Sequence, residues 1–307
     1  MRILITGGAG YVGNEIVYRL SKDKSVEKII IYDNLSRKNY NLFLDNPFAK
    51  GKIKFVYGEL LDTRKLKSIL HDIDIVYHLA AKVSTPLANE DSHLFEQINH
   101  WGTAELVYAL EETNVKKIIY LSSTSVYGPS ETVVDINTTP DPRTFYGTSK
   151  LRGEEHIKRI SSKIPAYIFR CGNIFGYSPS MRFDAVINRF MFEANFNNRI
   201  SIHGNGEQHR AFIHIDKVTD VLANILHVDF PSGVYNLVDG NLSINDIAES
   251  LKRIYPSMEM LYINQHLNMR EVIVKQDERV NCLITTPDKS IDNRLSEFKE
   301  KFSFSAE

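Results

Sequence analysis

The sequence predicts an α/β fold, a doubly wound parallel sheet (Rossmann-type) with a smaller interleaved C-terminal substrate lobe. Three observations support this prediction. Short apolar segments alternate with longer amphipathic segments in the first half, the apolar segments lack a polar face, and a glycine-rich turn follows the first of them. Strands that are apolar throughout are typical of a parallel sheet covered by helices on both faces.

The first half of the chain is expected to form six strands separated by helices. We predict the strands at 3–6, 28–32, 53–57, 75–78, 117–122 and 166–170. The amphipathic segments between them predict helices at 12–21, 64–70, 92–112 and 146–161. Right-handed crossovers then place these helices on the two faces of one sheet.

After residue 170 this alternation stops. Turn-forming residues cluster at 172–180 and 203–206, and a strand at 234–238 is expected to rejoin the main sheet. Helices are predicted at 183–194, 216–226, 243–254 and 291–302. We therefore expect a first domain of residues 1–172, to which 211–239 return, and a smaller lobe of residues 173–210 and 240–307.

The composition disfavours several classes of protein. The 307 residues include 37 Lys and Arg against 38 Asp and Glu, a net charge of −1, so no basic excess indicates nucleic acid or a membrane surface. Cys171 and Cys282 are too few for a disulfide scaffold or a four-cysteine zinc site, and the ten histidines lack metal-binding spacing. Those cysteines and histidines lead us to expect no metal. No apolar segment has the length of a signal peptide or a membrane span, so we expect a cytoplasmic protein.

A glycine-rich turn connects the first predicted strand to the first helix. Gly7, Gly10 and Gly13 have the spacing G-x-x-G-x-x-G. Glycine permits a tight turn and a close approach of the backbone to a pyrophosphate, and the start of a helix favours an anion. The turn therefore predicts a dinucleotide site. A packing turn without a ligand is the alternative, which the acidic residue at the end of the second strand disfavours.

That acidic residue is Asp33, twenty positions after Gly13. A carboxylate at this place accepts hydrogen bonds from a ribose 2′-hydroxyl and repels a 2′-phosphate, so the sequence favours NAD over NADP. Arg37 and Lys38 would suit a 2′-phosphate, but Asp33 would lie directly against it.

A Tyr-x-x-x-Lys pair and a serine-rich segment predict the chemistry. Tyr146 and Lys150 share one face of a helix, where a nearby ammonium lowers the pKa of a phenol and suits it to acid/base catalysis. The segment 122–125 supplies hydroxyls at the end of a predicted strand, and ligands of open α/β sheets bind at that edge. A surface helix pair is the alternative for the Tyr–Lys spacing alone.

Further segments occur in the order of a known family, at 58–62, 78–81, 99–103, 122–128, 170–176, 206–214 and 233–237. With them, nearly the whole chain resembles the extended short-chain dehydrogenase/reductases, specifically the NAD-dependent nucleotide-sugar epimerase/dehydratase family (UDP-glucose 4-epimerase-like). The resemblance implies that 1–172 is an NAD-binding domain and that the smaller lobe binds a nucleotide sugar.

The resemblance also implies roles for individual residues. Tyr146 is the implied acid/base, Lys150 also holds the nicotinamide ribose, and Ser123 occupies the catalytic Ser/Thr position. Asn99 is expected to orient its neighbours. The residues implied to bind NAD are Gly7, Gly10, Tyr11, Val12, Gly13, Asp33, Asn34, Glu59, Leu60, Ala80, Ala81, Lys82, Asn99, Tyr146 and Lys150.

The substrate residues come from the same resemblance. Asn173 and Arg210 match positions that bind the nucleotide diphosphate, His203 lies near the nucleobase, and Arg270 is either a second phosphate clamp or a surface residue. Residues 181–184 lie near the nucleotide or simply begin a helix. A homodimer is expected through the helices 92–112 and 146–161. The residues implied to contact the nucleotide sugar are Ser123, Thr124, Ser125, Asn173, His203, Arg210 and Arg270.

Members of this family first oxidise a sugar carbon and differ in the later steps. The 4,6-dehydratases usually carry an Asp-Glu pair directly after the catalytic Thr, where this chain has Thr124 and Ser125. Epimerases that act beside the ketone need an extra base, often Cys at the position of Ser125, and Lys82 or a histidine remains an open alternative. We therefore expect a C4 epimerase. The alternatives are a 4-dehydrogenase or 4-ketoreductase, then a 4,6-dehydratase, and last an NAD-binding protein without catalysis.

Overall fold

The computed structural model describes residues 1–44, 48, 51–83, 92–264 and 271–304. Its strands, in the described part of the chain, are β1 (Arg2–Thr6), β2 (Lys28–Asp33), β3 (Ile53–Tyr57), β4 (Ile75–His78), β5 (Lys117–Ser123), β6 (Ala166–Cys171), β7 (Asn173–Phe175), β8 (Arg199–His203), β9 (His209–His214), β10 (Gly233–Leu237), β11 (Gly240–Ser243) and β12 (Glu259–Ile263). The α-helices are α1 (Tyr11–Ser21), α2 (Thr63–Leu70), α3 (Ser92–Phe95), α4 (Gly102–Glu111), α5 (Phe145–Ile160), α6 (Val186–Asn197), α7 (Ile215–Asn224), α8 (Ile244–Ile254) and α9 (Ile291–Lys299).

Seven parallel strands form the main sheet in the order β10-β6-β5-β4-β1-β2-β3. The order reverses between β1 and β4, which are hydrogen-bonded neighbours. The chain leaves β1 toward one edge of the sheet and leaves β4 toward the other edge. The loops that follow β1 and β4 therefore diverge. The crevice between those loops is where ligands of doubly wound sheets bind. The predicted parallel α/β fold is confirmed, and the strand at 234–238 does return to the sheet as β10.

Both faces of this sheet are covered because side chains alternate along each strand. Ile3 and Ile5 of β1 point into a core shared with α1 and α7. Leu4 points into a second core, shared with α2, α4 and α5. All three side chains have no solvent exposure, so the strand has no polar face and its sequence is apolar throughout.

The remaining strands and helices form a smaller lobe with its own core. One sheet pairs β9 antiparallel with β11 and parallel with β7, and a second pairs β8 with β12. The helices α6, α8 and α9 contribute the buried side chains Phe190, Leu251 and Leu295 to this core. The division of the chain at 172, 211 and 239 stays a prediction.

Three predicted helices differ from the structure, one of them only in its end, since the helix expected at 291–302 ends at Lys299. The helix expected at 92–112 is interrupted, because a π-helical turn over Glu96–Trp101 separates α3 from α4. The helix expected at 183–194 begins later, at Val186. Arg182 and Asp184 form an ion pair of 2.6 Å before it, and Ala185 at its N-cap offers no capping side chain. The ion pair therefore precedes the helix and is not part of it.

Within the described residues, no helix has the length and hydropathy that crossing a membrane requires.

Candidate active site

The glycine turn, the segment after β4 and the serine segment after β5 lie at the carboxyl edge of three adjacent strands. Gly7 follows β1, Ala80 follows β4, and Ser123 ends β5. Because β4 lies between β1 and β5, the three segments meet at one edge of the sheet. This edge includes the point where the strand order reverses, so the structure brings the predicted glycine and serine motifs together at the place where a ligand is expected.

The glycine turn leaves no room for side chains. Gly7 has φ +74°, and a Cβ atom there would lie 2.5 Å from the Ala80 nitrogen. A Cβ on Gly13 would lie 2.2 Å from the Gly7 carbonyl oxygen. Gly10 is the N-cap of α1, and no side chain of the described residues caps that helix. The N–H groups at the start of α1 are thus left to an external acceptor, and the cradle fits a dinucleotide pyrophosphate.

Tyr11 and Val12, the next residues of the motif, point into the protein. The Tyr11 hydroxyl donates a hydrogen bond of 2.6 Å to the Gly176 carbonyl oxygen, and Val12 is buried in the core beneath the sheet. Burial raises the pKa of Tyr11 far above its usual range. Any contact that these two residues make with a ligand in the turn therefore comes from their backbone.

The carboxylate of Asp33 lies against the glycine turn. It accepts hydrogen bonds from the Ala9 N–H at 3.0 Å and the Leu35 N–H at 2.8 Å. Burial raises the pKa of Asp33, the backbone bonds lower it in part, and the charge of Glu59 raises it further. A crowded acidic group of this kind is suited to hydroxyl donors and opposes an added phosphate.

The described residues near Asp33 add a second carboxylate and leave no arginine directed at the place of a 2′-phosphate. Asn34 donates a hydrogen bond of 2.9 Å to the carboxylate of Glu59. Arg37, the residue that would suit a 2′-phosphate, lies 3.5 Å from the carboxylate of Asp184. Leu60 is 8% exposed and packs where α4 begins, since a Cβ on Gly102 would lie 2.9 Å from its Cβ.

Asn99 fixes the segment after β4 to the helix that carries Tyr146. Its side chain accepts a hydrogen bond from the Lys82 N–H and donates one to the Lys82 carbonyl oxygen, both at 2.8 Å. It also donates to Ser149 at 3.0 Å, whose hydroxyl donates to the Tyr146 carbonyl oxygen at 2.9 Å. Asn99 is 1% exposed, and its hydrogen bonds hold the Lys82 backbone beside α5.

A histidine is buried beneath this site, and the sequence does not indicate its role. His78 lies 2.8 Å from the hydroxyls of both Thr6 and Thr103. Because Thr103 donates to the Asn99 carbonyl oxygen, it accepts from His78 Nε2–H, and Nδ1 then accepts from Thr6. Burial and the charge of Lys150 lower the pKa of His78 to about 3, so the ring is neutral and braces β1 against α4. No sequence spacing marks such a pairing across strands.

Tyr146 lies in the first turn of α5, beside the end of β5. Thr144 caps this helix by accepting a hydrogen bond of 2.9 Å from the Gly147 N–H, which fixes where the turn begins. Burial raises the pKa of Tyr146, while hydrogen bonding with Ser123 and the positive charge of Arg182 lower it in part. The structure thus places the predicted phenol and hydroxyl next to each other.

Lys150 lies one turn further along α5 and is 2% exposed. Its ammonium lies 4.0 Å from the centroid of the Tyr120 ring. Burial lowers the pKa of Lys150 to about 7, although the charge of Glu154 raises it in part. A lysine with such a pKa changes charge close to neutral pH, which ordinary surface lysines do not.

A buried ion pair supports the same helix from behind. The Arg170 guanidinium donates to the Glu154 carboxylate at 2.8 Å and 3.0 Å, and the Ser122 hydroxyl donates to it at 2.6 Å. Burial raises the pKa of Glu154, but the hydrogen bonds and charge of Arg170 outweigh that effect and lower it. The pair ties β5, β6 and α5 together. No pattern in the sequence indicates that Glu154 and Arg170 contact each other.

The hydroxyls after Ser123 line the same edge. Ser123 donates a hydrogen bond of 3.1 Å to the Ser125 hydroxyl, and its own oxygen accepts from the Ser125 N–H at 3.2 Å. Ser123 and Thr124 are 8% and 5% exposed. These three residues present hydroxyl groups beside Tyr146, which suits the hydrogen bonding of a sugar.

The predicted nucleotide residues lie on the strands of the smaller lobe. Asn173 begins β7 and donates a hydrogen bond of 3.0 Å to the Ala211 carbonyl oxygen, next to Arg210 on β9. His203 ends β8, where Gln208 donates to its carbonyl oxygen at 3.2 Å. Arg270 lies outside the described residues. Asn173 and Arg210 are thus neighbours, and His203, on a separate strand pair, is joined through Gln208 to the start of β9.

Arg182 belongs to this site although the sequence placed it only nearby. Its positive charge lowers, in part, the pKa values of both Tyr11 and Tyr146. It pairs with Asp184 through two hydrogen bonds, of 2.6 Å and 3.1 Å. The guanidinium of Arg182 is thus held in one orientation by its ion pair with Asp184.

Comparison with known proteins gives the chain's relatives. A model of the NAD dependent epimerase/dehydratase family matches residues 3–237. The dTDP-D-glucose 4,6-dehydratase of Homo sapiens is 31% identical over 81% of this chain and 73% of that protein. The putative UDP-glucose 4-epimerase of Methanocaldococcus jannaschii is 32% identical over 81% of each chain. The crystal structure of UDP-glucuronic acid 4-epimerase from Bacillus cereus, in complex with UDP-glucuronic acid and NAD, is similar at a TM-score of 0.85, with 25% identity over 98% of both chains.

Proposed function

This chain belongs to the NAD dependent epimerase/dehydratase family, and from that premise we propose that it epimerises a nucleotide-diphosphate hexose at C4, through a transient 4-keto sugar. The cofactor of the family is NAD, as the sequence predicts. The dehydratase and the putative epimerase named above have nearly the same sequence identity to this chain, 31% and 32%. The choice between the two reactions therefore depends on the chemistry of the site.

The observation that carries the proposal is the pair Thr124 and Ser125, which directly follows Ser123 at the end of β5. Elimination of water needs a proton donor and a base in addition to the phenol. Thr124 and Ser125 supply only hydroxyls next to Ser123. C4 epimerisation needs no further acid or base, because the hydride returns to the carbon it left.

The residues of the first domain would hold the cofactor by their predicted roles. The backbone of Gly7, Gly10 and Gly13 would bind the pyrophosphate, Asp33 the adenosine ribose, and Lys150 the nicotinamide ribose. Asn99 orients the backbone of Lys82 and the helix that carries Tyr146. Bound NAD supplies a reversible hydride acceptor, and the side chains of this chain handle the proton.

Tyr146 is the proposed acid/base for the sugar hydroxyl at C4. Its burial keeps the phenol protonated in the absence of a cationic neighbour, so a positive charge must favour the phenolate when it acts as base. Lys150, one turn away, and Arg182 supply such charges. Ser123 hydrogen-bonds the same oxygen and holds it during the proton transfer. Tyr146 returns the proton when the ketone is reduced.

The substrate lobe is proposed to bind the nucleotide through Asn173 and Arg210, which are neighbours on paired strands. An arginine suits the forked contact with a diphosphate. The fixed charge of Arg182 beside the sugar edge is the reason to include a uronic acid among the candidate sugars. The B. cereus epimerase in complex with UDP-glucuronic acid supports the same choice.

We also propose a homodimer through α4 and α5. Trp101, at the end of the π-helical turn before α4, and Tyr108 on α4 are 52% and 44% exposed. His100 stacks on both Trp101 and His156, which extends the aromatic surface across the two helices. An exposed aromatic surface of this kind is typical of a contact between subunits.

The proposed function is tested by incubating the purified chain with UDP-glucose, UDP-glucuronic acid, UDP-N-acetylglucosamine and dTDP-glucose, and by following each by proton NMR without added cofactor. We expect the C4 epimer of one of these sugars and no other product. A 4-keto-6-deoxy sugar would instead identify a dehydratase, and accumulation of NADH with a keto sugar would identify a dehydrogenase. The Tyr146→Phe variant is the matched control for background conversion.

A further inference from the structure

Lys150 carries the charge on which the proposed proton transfer depends, and its burial opposes that charge. The side chain is 2% exposed, and burial lowers the pKa of Lys150 to about 7. Around neutral pH the lysine is therefore only partly protonated, and an uncharged lysine does not favour the phenolate of Tyr146. Any contact that stabilises the ammonium thus bears directly on the proposed reaction.

The carboxylate on the same helix is paired with other cations. Glu154 lies one turn after Lys150 on α5, and its charge raises the pKa of Lys150 against the larger effect of burial. This carboxylate forms its ion pairs with Arg170 at 2.8 Å and with Lys158 at 3.4 Å. Because these two cations largely balance its charge, Glu154 offsets only part of the cost of burying the ammonium.

The aromatic ring of Tyr120, on β5, lies against the ammonium. Lys150 Nζ is 4.0 Å from the ring centroid, and Tyr120 has no solvent exposure. The face of an aromatic ring attracts a cation, and this attraction is strongest where water is excluded. Burial raises the pKa of Tyr120 well above its usual range, so the attraction comes from the face of a neutral ring and not from a phenolate.

Two neighbours hold the Tyr120 ring in place. His78, itself hydrogen-bonded to two threonine hydroxyls, stacks on the ring with the centroids 5.3 Å apart. Burial and the charge of Lys150 lower the pKa of His78 to about 3, so this neutral ring adds no repulsion. On α5, a Cβ atom on Gly153 would lie 2.4 Å from the Tyr120 hydroxyl oxygen. Glycine is unfavourable inside a helix, and here it makes room for the hydroxyl end of Tyr120.

We propose that Tyr120 is a positioning residue for the proton transfer, because the face of its ring holds the ammonium of Lys150 one turn from Tyr146 and favours the charged form of the lysine. No proton passes through Tyr120, which acts only through Lys150. The inference rests on the proposed role of Lys150 in the reaction. It is independent of which nucleotide sugar is converted and of whether the product is an epimer.

Two substitutions separate the ring face from the hydroxyl. Tyr120→Phe keeps the face and removes a hydroxyl that, within the described residues, has no hydrogen-bond partner. Tyr120→Leu removes the face and keeps an apolar side chain. The pKa of Lys150 is measured in the cofactor-free full chain by carbon NMR of Cε in isotope-labelled lysine, and the Lys150→Met variant identifies the signal.

We expect Tyr120→Leu to lower the pKa of Lys150 by about one unit or more, and Tyr120→Phe to leave it unchanged within about 0.3 unit. The alkaline limit of the kcat profile should move to lower pH in Tyr120→Leu alone. Lost packing by itself would reduce stability without this shift. An unchanged Lys150 pKa in folded Tyr120→Leu would overturn the proposal, as would an equal fall in Tyr120→Phe.

If Tyr120→Leu does not fold, phenylalanines with an increasing number of ring fluorines at position 120 give the same test. Fluorine weakens the attraction of the ring face for a cation at nearly constant shape, so the pKa of Lys150 should fall stepwise with fluorine content. A pKa that does not respond to the fluorines would overturn the proposal. Absence of turnover with every nucleotide sugar would count against the proposed function instead, since the NMR titration of Lys150 requires no reaction.

Discussion

The ammonium of Lys150 lies 4.0 Å from the centroid of the Tyr120 ring, inside the protein. Burial lowers the pKa of Lys150 from 10.5 to about 7, while Glu154 raises it in part. The protonated lysine is thus less favourable in the folded protein than in the unfolded chain. The residue needed for the proposed chemistry is maintained at the expense of stability, which is common for charged groups in active sites.

Replacement of Lys150 by Met should therefore stabilise the cofactor-free protein at low pH. Between pH 7 and 10.5 the unfolded chain binds more protons than the folded one, so the stability of the unmodified protein rises with pH across that window. Below about pH 7 the cost is fully present. Lys150→Met removes it, and its advantage in urea unfolding is expected to be largest at pH 6 and to shrink by pH 9.

The exposed Lys24 offers a control for this measurement, since Lys24→Met should show no such trend with pH. A stability difference between Lys150→Met and the unmodified protein that stays constant from pH 6 to pH 9 would contradict the lowered pKa.

Replacement of Tyr146 by Phe removes the proposed proton carrier and little volume. We expect turnover to fall by roughly 10²–10⁴-fold, the usual contribution of a positioned acid or base. NAD binding and the circular dichroism spectrum should be nearly unchanged, because the substitution removes one hydroxyl and keeps the ring. Tyr108→Phe, on the exposed face of α4, is the control. Substantial turnover in Tyr146→Phe would remove this residue from the mechanism.

The sequence predicted the main sheet well because its strands are buried on both faces and are therefore apolar throughout, as Ile3, Leu4 and Ile5 illustrate. It predicted the glycine turn for a similar reason, since crowding at Gly7 and Gly13 leaves no choice of residue. Local requirements of this kind are readable from a single chain.

The strands of the smaller lobe were missed because their pattern is different. The strand β9 contains His209, Arg210 and His214, and β7 has only three residues, so neither shows an apolar run. The π-helical turn at Glu96–Trp101 leaves the helical periodicity almost intact and is equally hard to see. Glu154 and Arg170 meet only because α5 packs beside β6. Such contacts depend on tertiary packing, which spacing along the chain does not reveal.

The selectivity for NAD should depend on Asp33. Asp33→Ala removes the carboxylate that faces the glycine turn and relieves its repulsion of a 2′-phosphate. The ratio of NADP to NAD dissociation constants, measured by calorimetry, is expected to fall by about tenfold or more. Asp62→Ala, which removes a helix cap on α2, controls for a general loss of stability. Equal or tighter binding of NADP by the unmodified protein would show that Asp33 does not select the cofactor.

The proposed dimer predicts a role for Trp101, which is 52% exposed. Trp101→Glu places a charge in the aromatic surface, and the dimer dissociation constant should rise by at least about tenfold because a buried charge there would have no partner. Sedimentation velocity measures this change. Tyr57→Glu alters a residue of similar exposure, 57%, on the edge strand β3 and should leave the association intact. A monomer in the unmodified protein would refute the dimer.

The decisive prediction concerns where deuterium appears during the reaction. A C4 epimerase removes a hydride from C4 and returns it to the same carbon, and Tyr146 exchanges only the hydroxyl proton. The reaction in D₂O, with a nucleotide hexose and no added NADH, should therefore give the C4 epimer without deuterium on carbon. An enzyme that enolises beside the ketone would place deuterium at C3 or C5. A net dehydrogenase would stop after one turnover, with about one reduced nicotinamide per site visible by its absorbance. Because Thr124 and Ser125 offer no acid or base for the first of these rivals, proton NMR should show the C4 signal at full intensity in the product. Loss of ring-proton intensity would rule out the C4 mechanism and leave the fold and the family unaffected.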